Sequence, residues 1–211
     1  MNLRKSILST VFAATLAFSG ASALAQDATP DADAEATPAT YVSVNPQAVY
    51  DADGSFVGTI SLWEDADGTH LVLKGAAGEA LAPGEHGIHI HESGVCDADA
   101  DPAFDTAGGH FNPTDESHGD VEADPSHGGD LGNMTVEDDG SFEHWASVSK
   151  ITLNADEDNS LNDADGSAIV IHADADDLES DPSGESGDRI ACGVIFAPMS
   201  DDATPVATPA E

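Results

Sequence analysis

The sequence predicts an all-β fold, an antiparallel sandwich or barrel, on three observations. Short segments rich in β-branched and aromatic residues show period-two alternation, and Asp-Gly pairs punctuate them. Turn signals recur at intervals of about 8 to 12 residues, a spacing typical of this class. The chain shows no long amphipathic helical pattern. A meander of hairpins follows from these features.

The first 25 residues are typical of a secretory signal peptide. Arg4 and Lys5 precede an apolar run over residues 7–18 that is too short to cross a bilayer, and residues 23–25 form a small-residue cleavage site. We expect cleavage after Ala25, with an uncleaved anchor as the alternative. Cleavage removes two cations and no acids, so the formal net charge moves from −36 to −38.

Two acidic tails flank the central region. Residues 26–40 and 199–211 consist mainly of Asp, Ala, Thr, Pro and Glu, and the sequence Asp-Ala-Thr-Pro occurs in both. With so few large apolar residues they are predicted to be a disordered linker and a disordered tail, whose alternative role is attachment. The intervening residues 41–198 are enough for one domain with a substantial core.

The first strands can be placed from their residue types. Tyr41–Val44, Phe56–Trp63 and His70–Leu73 are β-branched or aromatic and partly alternate with polar residues. Asp-Gly pairs at 53–54, 67–68 and 139–140 favour tight hairpin turns because glycine tolerates positive φ. Further on, residues 169–171 form another short apolar β-branched run, which ends at His172.

The charge excludes several partners. The mature chain would keep three cations, Lys74, Lys150 and Arg189, so its surface repels nucleic acid and anionic membranes. Acidic turns such as residues 51–54 invite a calcium interpretation. They lack the glycine and glutamate positions of an EF-hand loop, so we do not predict a calcium site there.

Residues 86–130 hold six of the nine histidines. His89 and His91 lie two apart on a predicted strand, so both imidazoles face the same side and can bind one ion. An accidental histidine pair is the alternative for these two alone. His110, His118 and His127 follow in a loop, and Asp130 comes three residues after the last of them. Imidazoles with one carboxylate suit zinc or copper.

Together with His172 and the segment Gly187–Ile195, these residues resemble the copper/zinc superoxide dismutase family over roughly residues 40–198. The resemblance implies an eight-stranded antiparallel Greek-key barrel with two long functional loops, Ser93–Asp130 and Ala173–Asp188. It implies copper bound by His89, His91, His110 and His172, and zinc bound by His110, His118, His127 and Asp130.

Other roles follow from the same resemblance. Asp176 would bridge copper and zinc ligands through hydrogen bonds, and Arg189 would dock superoxide, the anionic substrate, beside the catalytic His110. Cys96 and Cys192 fall at or near the family's disulfide positions, and two cysteines in an exported chain favour a disulfide.

The implied function is disproportionation of superoxide by an exported enzyme in the periplasm, at the cell surface or outside the cell. A non-enzymatic module that stores or delivers copper or zinc is the alternative, and an acidic wall or surface protein that uses the barrel only as a scaffold is a third interpretation. No membrane insertion is expected after signal removal. The family includes dimers and monomers, so a homodimer stays open.

The second loop departs from the family in its charge: residues 173–188 contain seven acids and no lysine. We therefore expect weak attraction of superoxide, relieved by salt.

Overall fold

The fold is an eight-stranded antiparallel sheet curved into a nearly closed barrel, as the sequence predicts. A computed structural model describes residues 42–76, 81–121 and 123–199. The predicted signal peptide, the linker and residues 200–211 of the tail lie outside the described residues. The strands are β1 (Val42–Asp51), β2 (Phe56–Asp65), β3 (Gly68–Ala76), β4 (Gly84–His91), β5 (Asp130–Val136), β6 (Ser141–Val148), β7 (Ser167–His172) and β8 (Arg189–Phe196).

The strand order gives the Greek-key connection. The order across the sheet is β5-β4-β7-β8-β1-β2-β3-β6, and every pairing is antiparallel. The outermost strands β5 and β6 are joined by a short turn at residues 137–140 and contact each other, which brings the sheet edges together. Curving the sheet in this way leaves little exposed edge.

The predicted Asp-Gly turns are present. Gly54 joins β1 to β2, Gly68 begins β3, and Gly140 precedes β6, with φ values of 79°, 126° and 80°. A residue with a Cβ adopts these angles at a cost. Glycine at these positions therefore allows the tight hairpins that set the strand register.

The core lies inside the barrel and follows the period-two pattern of the strands. Its fully buried large side chains come from β2, β3, β4, β5 and β7 and from the loop after β6; they include Ile60, Leu62, Leu71, Leu73, Ile88, Ile90, Leu131, Leu161, Ile169 and Ile171. Each such side chain contributes roughly 1.5–3 kcal/mol when removed from water.

β7 is buried on both faces, which explains why its sequence is continuously apolar. Ile169 and Ile171 face the barrel core. Ala168 and Val170 pack instead with Phe104 of the loop between β4 and β5. A long loop therefore covers the outside of the barrel over β7.

The two long loops join β4 to β5 (residues 92–129) and β7 to β8 (residues 173–188), close to the predicted bounds. Apart from the three-residue 3₁₀ turn Asp105–Ala107, the described part of both loops is irregular. A disulfide between Cys96 and Cys192 ties the first loop to β8, with the two Cα atoms 5.7 Å apart. The predicted pairing is confirmed.

None of the helical structure in the described ranges is long and apolar enough to span a bilayer.

Removing the disulfide is expected to destabilise the protein. The two cysteines are 96 residues apart, so the bond restricts a large part of the unfolded chain. The paired change Cys96→Ser/Cys192→Ser should lower the free energy of unfolding by about 4 to 5 kcal/mol. Urea denaturation of the metal-free protein tests this, with the reduced wild-type protein as the control. Equal stability of the oxidised and reduced proteins would contradict the expectation.

Candidate metal centre

Two neighbouring strands supply the first histidines of the site. On β4, Ile88 and Ile90 enter the core, so His89 and His91 point to the opposite face, beneath the loop of residues 92–129. His172 ends the adjacent β7, which pairs with β4. The alternation that builds the core thus also places three imidazoles outside it, in the space between the barrel wall and the loop.

His110 joins these three residues from the loop. It forms an isolated β-bridge with His91, and its ring stacks on that of His89 with centroids 3.8 Å apart. The four residues His89, His91, His110 and His172 each offer a ring nitrogen within 4.8 Å of the others. These are the four residues that the sequence predicts as copper ligands.

Each of these imidazoles has one buried ring nitrogen without a hydrogen-bond partner. They are His89 Nδ1, His91 Nε2, His110 Nε2 and His172 Nε2. Leaving such a group unsatisfied costs about 1 to 3 kcal/mol, and four of them in one place indicate a ligand that accepts nitrogen lone pairs. Copper suits a set of imidazoles, so the residues fit this metal.

The opposite nitrogen of each strand histidine is held by the protein. His91 Nδ1–H donates to the carbonyl of Gly108 over 2.9 Å, and His172 Nδ1–H donates to the carbonyl of Gly187 over 3.2 Å. His89 Nε2–H donates to Asp176 Oδ2 over 2.8 Å. Because each acceptor keeps the ring proton on the nitrogen that donates to it, the nitrogen facing the shared point has a free lone pair.

A second group of donors surrounds Asp130, the first residue of β5. Its Oδ1 lies 2.9 Å from His110 Nδ1, 3.0 Å from His118 Nδ1 and 3.1 Å from His127 Nδ1. Tetrahedral zinc with bonds of about 2.0 Å requires ligand atoms about 3.3 Å apart, so this set fits zinc. His89 also lies within 4.8 Å of His110, His118 and Asp130. Its Nε2 donates to Asp176, and its unpartnered Nδ1 is one of the four nitrogens assigned above to copper.

Asp176 connects the two groups. Its Oδ1 accepts a hydrogen bond from His118 Nε2 over 2.9 Å, while its Oδ2 accepts one from His89. The Asn133 side chain holds the Asp176 backbone at both its N–H and its carbonyl. Gly184 crosses so close to the carboxylate that a Cβ there would overlap it. The second loop can therefore close over Asp176 only with glycine at this position.

The surroundings shift the pKa values in opposite directions. Burial lowers the pKa of His110 to about 4 and that of His172 to about 3. Burial also disfavours charge on His118, but hydrogen bonds to Asp130 and Asp176 outweigh it and raise the pKa of His118 to about 10. In the metal-free protein His110 and His172 are therefore neutral at pH 7, whereas His118 is charged.

Arg189 reaches the same site from β8. Its guanidinium donates to the carbonyls of Phe104, over 2.8 Å, and Gly108, over 2.6 Å. The Gly108 carbonyl thus accepts from both Arg189 and His91. Arg189, His91, His110 and His172 line one cavity of about 290 Å³. An anion in this cavity would meet a fixed positive charge beside the unpartnered histidine nitrogens.

Lys150 supports the loop at His127. Its ammonium donates to the Ser126 carbonyl (3.0 Å), the Ser126 hydroxyl (2.7 Å) and the Ala123 carbonyl (3.1 Å). Ser126 is fully buried and directly precedes His127. One of the few cations of the chain therefore fixes the backbone next to a candidate zinc ligand.

The structure brings together all the histidines and the aspartates that the sequence predicts for the site. The remaining three histidines lie elsewhere. His86 bonds the backbone carbonyls of Ala82 and His172, His70 lies between Asp65 and Ser147, and His144 lies on β6. Sequence reasoning did not find Gly184 or the support by Lys150, because neither residue carries a local signal. The role of Asn133 was signalled only by its place shortly after Asp130.

A Greek-key barrel with a buried histidine and aspartate cluster on its outer wall defines a metalloprotein of the dismutase type. The family model for copper/zinc superoxide dismutase matches residues 56–195. Superoxide dismutase (Cu-Zn) 2 of Aquifex aeolicus (strain VF5) is 39% identical over 144 residues, which are 68% of this chain and 81% of that protein.

Solved structures agree with this match. A superoxide dismutase-like protein from Bacillus subtilis aligns with a TM-score of 0.64 and 34% identity, over 73% of this chain and 99% of that one. The copper/zinc superoxide dismutase of Brucella abortus aligns with a TM-score of 0.57 and 27% identity, over 72% and 98%. The chain belongs to the copper/zinc superoxide dismutase family. The predicted family, enzyme class and metals, copper and zinc, are confirmed.

The stability of the metal-free protein should peak near pH 6.5. Below that pH the unfolded chain protonates His110 and His172 while the folded chain does not until about pH 4 and 3, so stability falls on acidification. Above it the unfolded chain loses the His118 proton that the folded chain keeps to about pH 10. Each group contributes about 1.4 kcal/mol per pH unit inside its window.

Urea denaturation between pH 4.5 and 9 measures this profile. In the variant His118→Gln we expect the alkaline decline to shrink and the acid decline to remain. Stability that rises as the pH falls from 6.5 to 4.5 would contradict the assignment of neutral buried imidazoles.

The change Lys150→Met should loosen the loop at His127. The change removes the three hydrogen bonds that the Lys150 ammonium donates. We expect the free energy of unfolding to fall by about 1 to 3 kcal/mol. We also expect zinc to bind about tenfold more weakly. Competition with a chelator measures the zinc affinity. Lys74→Met is the matched control, because Lys74 is an exposed cation on β3. Equal zinc affinities in the two variants would show that Lys150 does not support the site.

Proposed function

We propose that the chain disproportionates superoxide at copper held by His89, His91, His110 and His172, with zinc held by His110, His118, His127 and Asp130. His110 would be shared by both metals. The reaction converts two superoxide ions and two protons into oxygen and hydrogen peroxide. The predicted signal peptide supports export to the periplasm, the cell surface or the medium, where the enzyme would protect the cell exterior.

The observation that carries this proposal is the placement of the two ring nitrogens of His110, one in each candidate metal site. Its Nδ1 lies in the group around Asp130, whereas its Nε2 is one of the four unpartnered nitrogens. One imidazole thus has a nitrogen directed at each candidate metal position. Burial lowers the pKa of His110 to about 4, so the ring is neutral at neutral pH and one of its nitrogens has a free lone pair. Binding a metal at the other nitrogen as well would displace the remaining ring proton.

Copper supplies the alternating one-electron oxidation and reduction that the reaction needs, and zinc contributes no redox change. The protein must dock an anion and deliver a proton. Arg189 provides the docking charge within the cavity, and its two backbone hydrogen bonds fix its orientation before substrate arrives. His110 would carry a proton at Nε2 in one half of the cycle and donate it to the peroxide in the other.

The direct test is the rate of superoxide loss by the protein loaded with one copper and one zinc. We expect a rate approaching the diffusional ceiling, lost in His89→Ala and retained in His70→Ala, whose imidazole lies between Asp65 and Ser147 on the barrel surface. A fully metallated protein with negligible activity would favour the alternative of a copper- or zinc-binding module.

The rate should increase with ionic strength. Asp105 and Asp188 line the cavity together with Arg189, and the chain carries a formal net charge of −36. The resulting field repels an anion at long range, and salt screens it. Superoxide loss measured from about 0.02 to about 0.5 M salt tests this. A rate that falls steeply over the series would contradict repulsion by the channel.

A further inference from the structure

The cavity that holds the histidine nitrogens opens through an acidic mouth. Asp105 and Asp188 line the cavity. A second hollow of about 440 Å³ shares Asp188 and Arg189 with it and is also lined by Asp51, the last residue of β1, and by Asp53 on the turn that follows. Four acidic residues and one guanidinium therefore line the path through the two hollows. Because Arg189 is tied to two backbone carbonyls, it does not leave its position to neutralise the outer acids.

The inner end of the same path presents donors for a cation. His91 and His172 are 1% and 3% exposed, both line the cavity, and the Nε2 of each lacks a hydrogen-bond partner. A path with carboxylates outside and unpartnered imidazole nitrogens inside is arranged for a metal cation, whose ligands become softer and more nitrogen-rich as it moves inward.

We propose that the acidic mouth formed by Asp51, Asp53, Asp105 and Asp188 draws copper ions to the four-histidine site. This inference rests on the proposed function, since it assumes that copper binds those histidines. Carboxylates around a hollow with low-dielectric walls concentrate cations and can raise their association rate by one to three orders of magnitude. The same field opposes superoxide, so the mouth favours metal acquisition at the expense of substrate attraction.

The test must distinguish the effect of the charge at the mouth on copper binding from the effect of the net charge of the chain. The test variant is Asp105→Asn/Asp188→Asn, which removes two exposed carboxylates from the mouth. The matched control is Glu137→Gln/Asp138→Asn, with the same change in net charge. These control residues follow β5, a seven-residue strand that begins at Asp130 in the site, so they lie about 20 Å away along the barrel.

The experiment uses zinc-loaded, copper-free protein and Cu²⁺ in a weakly coordinating buffer. Stopped-flow absorption of nitrogen-ligated copper gives the association rate constant. At about 0.1 M salt, where the screening length is about 10 Å, we expect Asp105→Asn/Asp188→Asn to bind about three- to tenfold more slowly than wild type and the control to match wild type. The wild-type rate should fall about tenfold between about 0.02 and about 0.5 M salt.

Equilibrium stoichiometry keeps the two proposals apart. If one Cu²⁺ binds per chain in both variants but the rate responds neither to salt nor to the mouth substitutions, the inference is overturned while the four-histidine site stands. Equal slowing by the control would also overturn it, because the effect would then belong to the net charge. If His89→Ala binds as much copper as wild type, or if wild type binds none, the proposed function fails, and this inference fails with it.

Discussion

The site depends on the different roles of the two ring nitrogens in the histidines of β4 and β7: one donates a hydrogen bond to the protein, and the other is left free for a metal. A hydrogen-bond acceptor at one nitrogen of a histidine fixes the tautomer and the ring orientation, so that the lone pair of the other nitrogen is directed at the metal. Here the acceptors are the carbonyls of Gly108 and Gly187 and the carboxylate of Asp176. All three come from the long loops, so the loops are required for the geometry of the site and not only for its cover.

The same requirement explains how the loops are attached. The disulfide from Cys96 to β8 holds the first loop against the barrel, Lys150 holds its far end near His127, and Asp181 accepts a hydrogen bond from the His118 backbone N–H. The first loop also has internal hydrogen bonds, such as those from the Glu92 and Ser93 N–H groups to the carbonyls of Gly109 and Ala107. Ties to the barrel and to the other loop add to these bonds, and they place ligands from distant parts of the chain within one site.

The electrostatics of the chain act in opposite directions on the two ions that the site handles. Outside, exposed carboxylates at the cavity mouth outnumber the single fixed cation, Arg189. Inside, burial lowers the pKa of the three imidazoles that line the cavity, those of His91, His110 and His172, and this suits them to bind a metal cation rather than repel it. The protein therefore presents a negative approach to a neutral, nitrogen-lined interior, with one positive group where an anion would dock.

Much of the fold and the site follows from the sequence alone. Period-two alternation and Asp-Gly turns determine the hairpins, because they depend on nearest neighbours along the chain. The spacing of His89 and His91 likewise places both on one face of β4. The ligand set itself was predicted through resemblance to a family, since no local pattern relates His172 or Asp176 to residues some sixty or more positions away.

Only the tertiary structure decided which ring nitrogen each histidine directs inward, how the Gly108 carbonyl serves both His91 and Arg189, and why Gly184 and Lys150 matter. These are long-range contacts, made when the loops pack against the barrel. The sequence by itself determined the period-two strand pattern and the turns, and the candidate metal ligands followed from the family resemblance. The fold determined their orientation, because hydrogen-bond partners are selected by three-dimensional proximity and not by separation along the chain.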